Sequence, residues 1–155
     1  MHVADAAVAQ GDAIIASIGL GSCVAIVLHD PEAQVGGLAH VLLPSDSMAR
    51  DRTNRAKFPS SAVPLLLEQM RALGAVDRRI TARLVGGASM FTSLLSSAGM
   101  QIGERNLLAS RKALALARIP VIGEEAGGGH GRSVYFHTSD GRVEVRSMAR
   151  GSVDL

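Results

Sequence analysis

The most constraining feature of the chain is an apolar run over residues 13–28, broken near its middle by Gly19-Leu20-Gly21-Ser22-Cys23. A helix that spans a membrane needs ~20 consecutive apolar residues; this run has about 16. Two glycines interrupt it, and Asp5 and Asp12 stand where an export signal would carry basic residues. The run therefore reads as two buried strands, 13–18 and 24–28, joined by a glycine turn. With no export signal, the protein is expected in the cytoplasm.

Turn residues divide the rest of the chain. Asp30-Pro31 and Gly36-Gly37 bracket a turn, and the second pair opens a third strand that Pro44 stops after Leu43. Residues 45–57 are polar and aperiodic and read as a loop. A helix is expected over 60–73, with Pro64 in its first turn and Gly74 as its stop. A strand follows at 80–85, and then a short helix at 90–95. A longer helix is expected over 104–117, with Leu107, Leu108, Leu114 and Ala115 on its apolar side. Pro120 begins a strand at 121–122, and Asp140-Gly141 predicts a tight hairpin between 134–138 and 143–146. No repeat is visible. The expected fold is a single α/β (α+β) domain over 1–155, layered, with a mixed and largely antiparallel β-sheet core flanked by helices. The core is expected to span about 11–148, with short flexible termini.

Composition narrows the function classes. The formal net charge of +2 comes without any run of Lys or Arg, and aromatics are 3% of residues, so a nucleic-acid surface has no footing. One cysteine excludes an internal disulfide framework and a CxxC zinc or redox site, and it suits a reducing compartment. The five histidines show no HxxxH spacing, so no metal is expected. Gly19-x-Gly21 lacks the third glycine of a dinucleotide fingerprint, and no Gly-Lys-Ser/Thr is present for a phosphate loop. No organic cofactor is expected either.

That leaves the cysteine. A free Cys is most often a small buried hydrophobe. Cys23, however, follows a turn of almost no side-chain bulk, where a carbonyl substrate can come close and the backbone N–H groups of Gly21 and Ser22 can face a developing oxyanion. His40 lies in the third strand among apolar neighbours, where a structural histidine is the commoner outcome. Adjacent antiparallel pairing of the second and third strands would bring it to Cys23, where an imidazole can take the thiol proton. Ser17, on the first strand, offers a hydroxyl to orient that imidazole, although from the residues alone an ordinary strand serine is the favoured reading. His130, in Gly-Gly-Gly-His-Gly-Arg, reads as a mobile loop residue, and a substrate contact by His130 or Arg132 has no specific signal behind it.

These residues resemble the CheD family, the chemoreceptor glutamine deamidases of bacterial and archaeal chemotaxis. The resemblance rests on the run from Ser17-Ile-Gly-Leu-Gly-Ser-Cys23 to Pro31 and on Gly36-Gly-Leu-Ala-His40-Val-Leu-Leu-Pro44. It continues through Val85-Gly-Gly-Ala88 with Met90-Phe91, Ile102-Gly-Glu-Arg-Asn106, Ile119-Pro-Val121, and Gly131-Arg132 before Val134-Tyr-Phe136. It implies Cys23 as nucleophile, His40 as base, and Ser17 at a position the family usually fills with Thr. Ala39 stands where Asn commonly precedes the histidine, and residues 57–62 depart from the family's tyrosine-containing helix entry. The implied reaction is hydrolysis of a protein glutamine side chain to glutamate through a cysteine thioester, without metal or organic cofactor. The implied fold is that of glutamine-deamidating toxins and related cysteine hydrolases. The implied partners are chemoreceptor cytoplasmic domains and a CheC-like phosphatase, met by a monomer that neither enters a membrane nor binds nucleic acid. Two other readings share the motif: a docking module for receptors or phosphatase without chemistry, and an amidase for small substrates, which would need a deep pocket.

Overall fold

The computed structural model describes residues 1–89 and 101–155. The short helix expected at 90–95 lies outside the described residues. In chain order the elements are β1 (Ala6–Gln10), β2 (Ile14–Leu20), β3 (Val24–Asp30), β4 (Val35–Val41), α1 (Pro59–Ala72), β5 (Thr81–Gly86), α2 (Ile102–Leu116), β6 (Val121–Ala126), β7 (Arg132–His137), β8 (Val143–Ser147) and β9 (Gly151–Asp154). They form two sheets, a five-stranded one in the order β1-β4-β3-β5-β6 and a four-stranded one in the order β2-β7-β8-β9. Only β5 and β6 run parallel; the remaining pairs are antiparallel. The expected mixed, largely antiparallel α/β architecture is observed, with two sheets where one was expected.

Strand β3 shows why the layers form. All its residues are buried, as in a strand covered on both faces. Val24, Ile26 and Leu28 face the helices and share a core with Leu66, Met70, Leu107 and Leu114. On the opposite face Cys23, Ala25 and Val27 join Leu38, and Ile15, Leu20, Val134, Phe136 and Val145 of the four-stranded sheet. The order of layers is helices, five-stranded sheet, four-stranded sheet. Phe136 is fully buried in the second core, worth about 1.5–3 kcal/mol relative to exposure. It has room because position 36 is glycine; a Cβ there would collide with its ring.

Several expectations need correction. The apolar run at 13–28 splits between the sheets, and its first half is not a buried strand: β2 pairs with β7 alone and turns Ile14 and Ile18 outward, 60% and 59% exposed. Strands β1 and β9 lie outside the 11–148 core, each pairing with a long neighbour whose register extends to it. Pro59 starts α1 and Pro64 sits in its second turn, on the exposed side, where the carbonyl it leaves free faces solvent. The buried side of α2 is Gly103, Asn106, Leu107, Ser110, Ala113 and Leu114, while Leu108 and Ala115 are exposed. Small and polar residues on the inner side hid the true helical phase. Strand β6 runs on to Ala126 because parallel pairing with β5 holds it. The β7–β8 loop is wider than a two-residue turn: the His137 N–H donates to the Arg142 carbonyl, and Gly141 takes φ +79° within it. Among the described residues no helix is long and apolar enough to cross a membrane.

Candidate active site

The ladder between β3 and β4 sets the first relationship. It pairs Val24 with Val41 and Ala25 with His40. Cys23 stands one residue before β3, so its side chain shares a face with that of Ala25, and therefore with that of His40 on the neighbouring strand. Thiol and imidazole are diagonal neighbours across an antiparallel pair, within reach of a ring. The strand pairing expected from the sequence is the one observed.

The second relationship crosses between sheets. Ser17, fully buried on β2, places its Oγ 2.8 Å from Nδ1 of His40, which is also fully buried. Inward-facing residues alternate along β2, which brings Ser17 to the same side as Ile15. The β2–β7 register then shifts between Ser17 and Leu20, where Gly19 takes φ +78°. This irregularity lets Leu20 point inward too and delivers the chain to Gly21 and Ser22. When Nδ1 donates its proton to the Ser17 oxygen, Nε2 is left with a lone pair, and Nε2 is buried without a hydrogen-bond partner among the described residues.

Burial also sets the protonation of both groups. It pushes the Cys23 thiol up from its ordinary value, against a smaller opposing effect of the residue's own backbone N–H. It pushes the His40 imidazole down. Both shifts favour the neutral thiol and the neutral imidazole over their charged forms. This arrangement suits proton transfer at the moment of attack.

The turn before Cys23 is held by its carbonyls. Ala88 N–H donates to the Gly21 oxygen at 2.9 Å and Gly87 N–H to the Cys23 oxygen at 2.8 Å. Between them, the Ser22 oxygen accepts from Asn106 Nδ2 at 2.9 Å. Beyond the strand ladders, the N–H groups of Gly21, Ser22 and Cys23 have no backbone acceptor among the described residues. Gly86 and Gly87 make this approach possible, with φ +107° and +67°. A Cβ on Gly86 would strike the Cys23 carbonyl oxygen. The sequence showed this pair just past the strand at 80–85 and within the Val85-Gly-Gly-Ala88 block, without a role. Asn106 was visible only as part of a motif, without a role; a lone Asn on the inner side of an apolar helix was the available signal.

His130 and Arg132 do not hydrogen-bond to Ser17 or His40. Arg132 is buried, reaches Glu125 at 3.4 Å, and donates to the His130 carbonyl at 3.4 Å. Both line a surface cavity of about 650 Å³ together with Ile18, Gly19, Arg146 and Met148. Neither this cavity nor a second one between α1 and α2 has Cys23, His40 or Ser17 in its wall. Among the described residues no cluster of three or more His, Cys, Asp or Glu is placed to hold a metal ion.

Comparison with known proteins gives the lineage. The profile of a family described as CheD chemotactic sensory transduction matches residues 42–147, a span that begins just after His40. Individual relatives extend across the site itself. A probable chemoreceptor glutamine deamidase CheD of Caldanaerobacter subterraneus subsp. tengcongensis is 42% identical over 149 residues, 96% of this chain and 92% of that protein. A protein named probable chemoreceptor glutamine deamidase CheD 2, from Geobacter metallireducens, is 44% identical over 144 residues, 91% of this chain and 88% of its own length. The archaeal counterpart from Thermococcus kodakarensis, named like the first, is 40% identical over 151 residues, 97% of this chain and 93% of its own. With a family profile over most of its length and relatives above 30% identity over nearly all of it, this chain belongs to the CheD family.

Proposed function

We propose that this protein is a cysteine hydrolase that deamidates glutamine side chains of chemoreceptors, with Cys23 as nucleophile, His40 as base and acid, and Ser17 as the group that orients His40. The observation that carries this reading is the buried Ser17–His40 hydrogen bond on the face that Cys23 shares. A docking protein has no use for an imidazole held in one orientation beside a thiol. The names of the relatives supply the substrate class.

In this mechanism the Cys23 sulfur bonds to the carboxamide carbon of glutamine while its proton passes to His40 Nε2. The carbonyl oxygen becomes an oxyanion facing the N–H groups of the Gly21-Ser22-Cys23 turn. His40 returns the proton to the amide nitrogen, the C–N bond breaks, and ammonia leaves a thioester. Water then attacks with His40 as base, and collapse releases glutamate and the free thiol. No cofactor takes part. The protein acts in the cytoplasm as a monomer, and a CheC-like phosphatase competes for its receptor-binding surface.

The test incubates the protein with a cognate receptor's cytoplasmic fragment and follows the conversion of glutamine to glutamate by mass spectrometry. Wild-type protein converts; Cys23→Ala does not. Equal conversion by both would refute the assignment of Cys23.

A further inference from the structure

Asn106 joins the two halves of this site. Its side chain is fully buried on α2, and its one amide nitrogen donates to two carbonyls, Ser22 at 2.9 Å and Leu42 at 3.1 Å. Ser22 immediately precedes Cys23, and Leu42 lies two residues beyond His40. Both sit just past the last ladder pair, Val24 with Val41, where the strands no longer hold each other. The amide thus replaces a missing rung between the ends that carry the nucleophile and the base. Two carbonyl acceptors also fix which end of the amide is nitrogen, since oxygen there would face oxygen.

The approach of α2 is built in. Gly103, on the same side of the helix three residues earlier, lies against the Gly87 and Ala88 carbonyls, where a Cβ would collide with both. The same Gly87 and Ala88 donate to the carbonyls on either side of Ser22. Three consecutive carbonyls, from Gly21 to Cys23, are therefore held by three donors.

The consequence lies on the opposite edge of the middle peptide. In a trans peptide the C=O and N–H point in opposite directions, so a donor fixed on the Ser22 oxygen also fixes the Cys23 N–H. Beyond the strand ladders that N–H has no backbone acceptor among the described residues. A hydrogen bond on the carbonyl also polarises the peptide and makes its N–H a stronger donor. We propose that Asn106 is a positioning residue that, through the Ser22 carbonyl, aims the Cys23 backbone N–H at the oxyanion formed when Cys23 attacks the substrate amide. This inference rests on the deamidase reading above.

The test compares two reactions of the same thiol in wild type, Asn106→Leu and Asn106→Ser, with Cys23→Ala as blank. Deamidation of a receptor fragment passes through an oxyanion. Alkylation by iodoacetamide displaces iodide at carbon and forms none. Asn106→Leu keeps the branched shape with slightly more bulk and removes both N–H donors; Asn106→Ser keeps one donor. The expected result is a kcat about 30- to 100-fold lower for Leu, at or below the lower end of the ~100- to 1000-fold for outright removal of an oxyanion donor, since the N–H itself remains, and an intermediate loss for Ser. KM and the alkylation rate constant stay within about threefold of wild type. Unchanged kcat, or alkylation that falls in parallel with kcat, overturns the inference; should the Leu variant not fold, the Ser variant decides by the same criteria. If the wild type itself fails to convert a cognate receptor, the deamidase reading fails and the inference falls with it. If only the wild-type and variant activities coincide, the inference alone fails.

Discussion

Ser17 and His40 come from different sheets, and the Ser17 Oγ lies 2.8 Å from the His40 Nδ1 in an otherwise apolar layer. The contact fixes the ring and leaves Nε2 without a hydrogen-bond partner among the described residues, the atom that takes the thiol proton in the proposed mechanism. Removing it strands a buried ring nitrogen and frees the ring to turn, at a cost of about 1–2 kcal/mol. Ser17→Ala is therefore expected to lower kcat about tenfold with little change in KM. Ser17→Thr keeps the hydroxyl and should retain most of the activity. Steady-state kinetics on a receptor fragment checks both, and an Ala variant as fast as wild type would remove Ser17 from the mechanism.

Burial separates the pH behaviour of the two partners. His40 must be neutral to accept a proton, and burial holds its pKa below the ordinary histidine value of 6.5. As pH rises, kcat/KM should climb through a midpoint below 6.5 and be at its plateau by neutrality. The thiol is displaced the other way, above its ordinary value of 9.0, so alkylation of Cys23 in the free protein should still be accelerating past pH 9. Coincident midpoints for the two profiles near neutrality would indicate a preformed ion pair and contradict this arrangement.

Two glycines with positive φ separate backbone strain from site geometry. Gly11 (φ +78°) has nothing within 4 Å of an added Cβ, whereas one on Gly86 (φ +107°) would strike the Cys23 carbonyl. Gly11→Ala should cost about 1 kcal/mol, the left-handed penalty alone, with activity intact. Gly86→Ala adds displacement of the Cys23 peptide and should reduce kcat by at least tenfold. Thermal melts and turnover of the pair decide; equal activity would mean that the turn absorbs the shift.

Asp30 carries the clearest acid-sensitive contribution to stability. Burial works against its ionisation, yet the Arg79 guanidinium at 3.0 Å and the Val76 and Ala33 N–H groups bring its pKa down from 3.8 to about 2. A depressed carboxylate stabilises the fold above its unfolded pKa, and the contribution is lost as pH falls through about 4 toward 2. The shift corresponds to about 2–3 kcal/mol. Asp30→Asn should lower Tm clearly at pH 7, and its gap to wild type should narrow by pH 2.5. A gap independent of pH would assign the effect to packing.

Much of this was legible in the sequence where local chemistry decides. The strands on either side of Cys23, the strand of His40 and both long helices announce themselves through β-branched runs, prolines and glycines. What escaped was long-range. Nothing near Ile14 or Ile18 says that β2 leaves its sequence neighbour for β7, because an apolar residue on an exposed edge reads the same as one in a core. The inner side of α2 was misphased because Gly103, Asn106 and Ser110 are there for approach and hydrogen bonding rather than apolar area. The Ser17–His40 contact depends on that same sheet assignment, so local residues alone favour an ordinary strand serine.

The division of β2 from β3 has a mechanical consequence. With the hydroxyl on one sheet and the thiol and imidazole on the other, turnover by the proposed mechanism would gauge how faithfully the two sheets keep their relative position. A slide of about 2 Å along their interface would part Ser17 from His40. Selection for activity is then also selection for stiffness along that seam, and it reaches residues such as Leu38 and Phe136 that never meet a substrate.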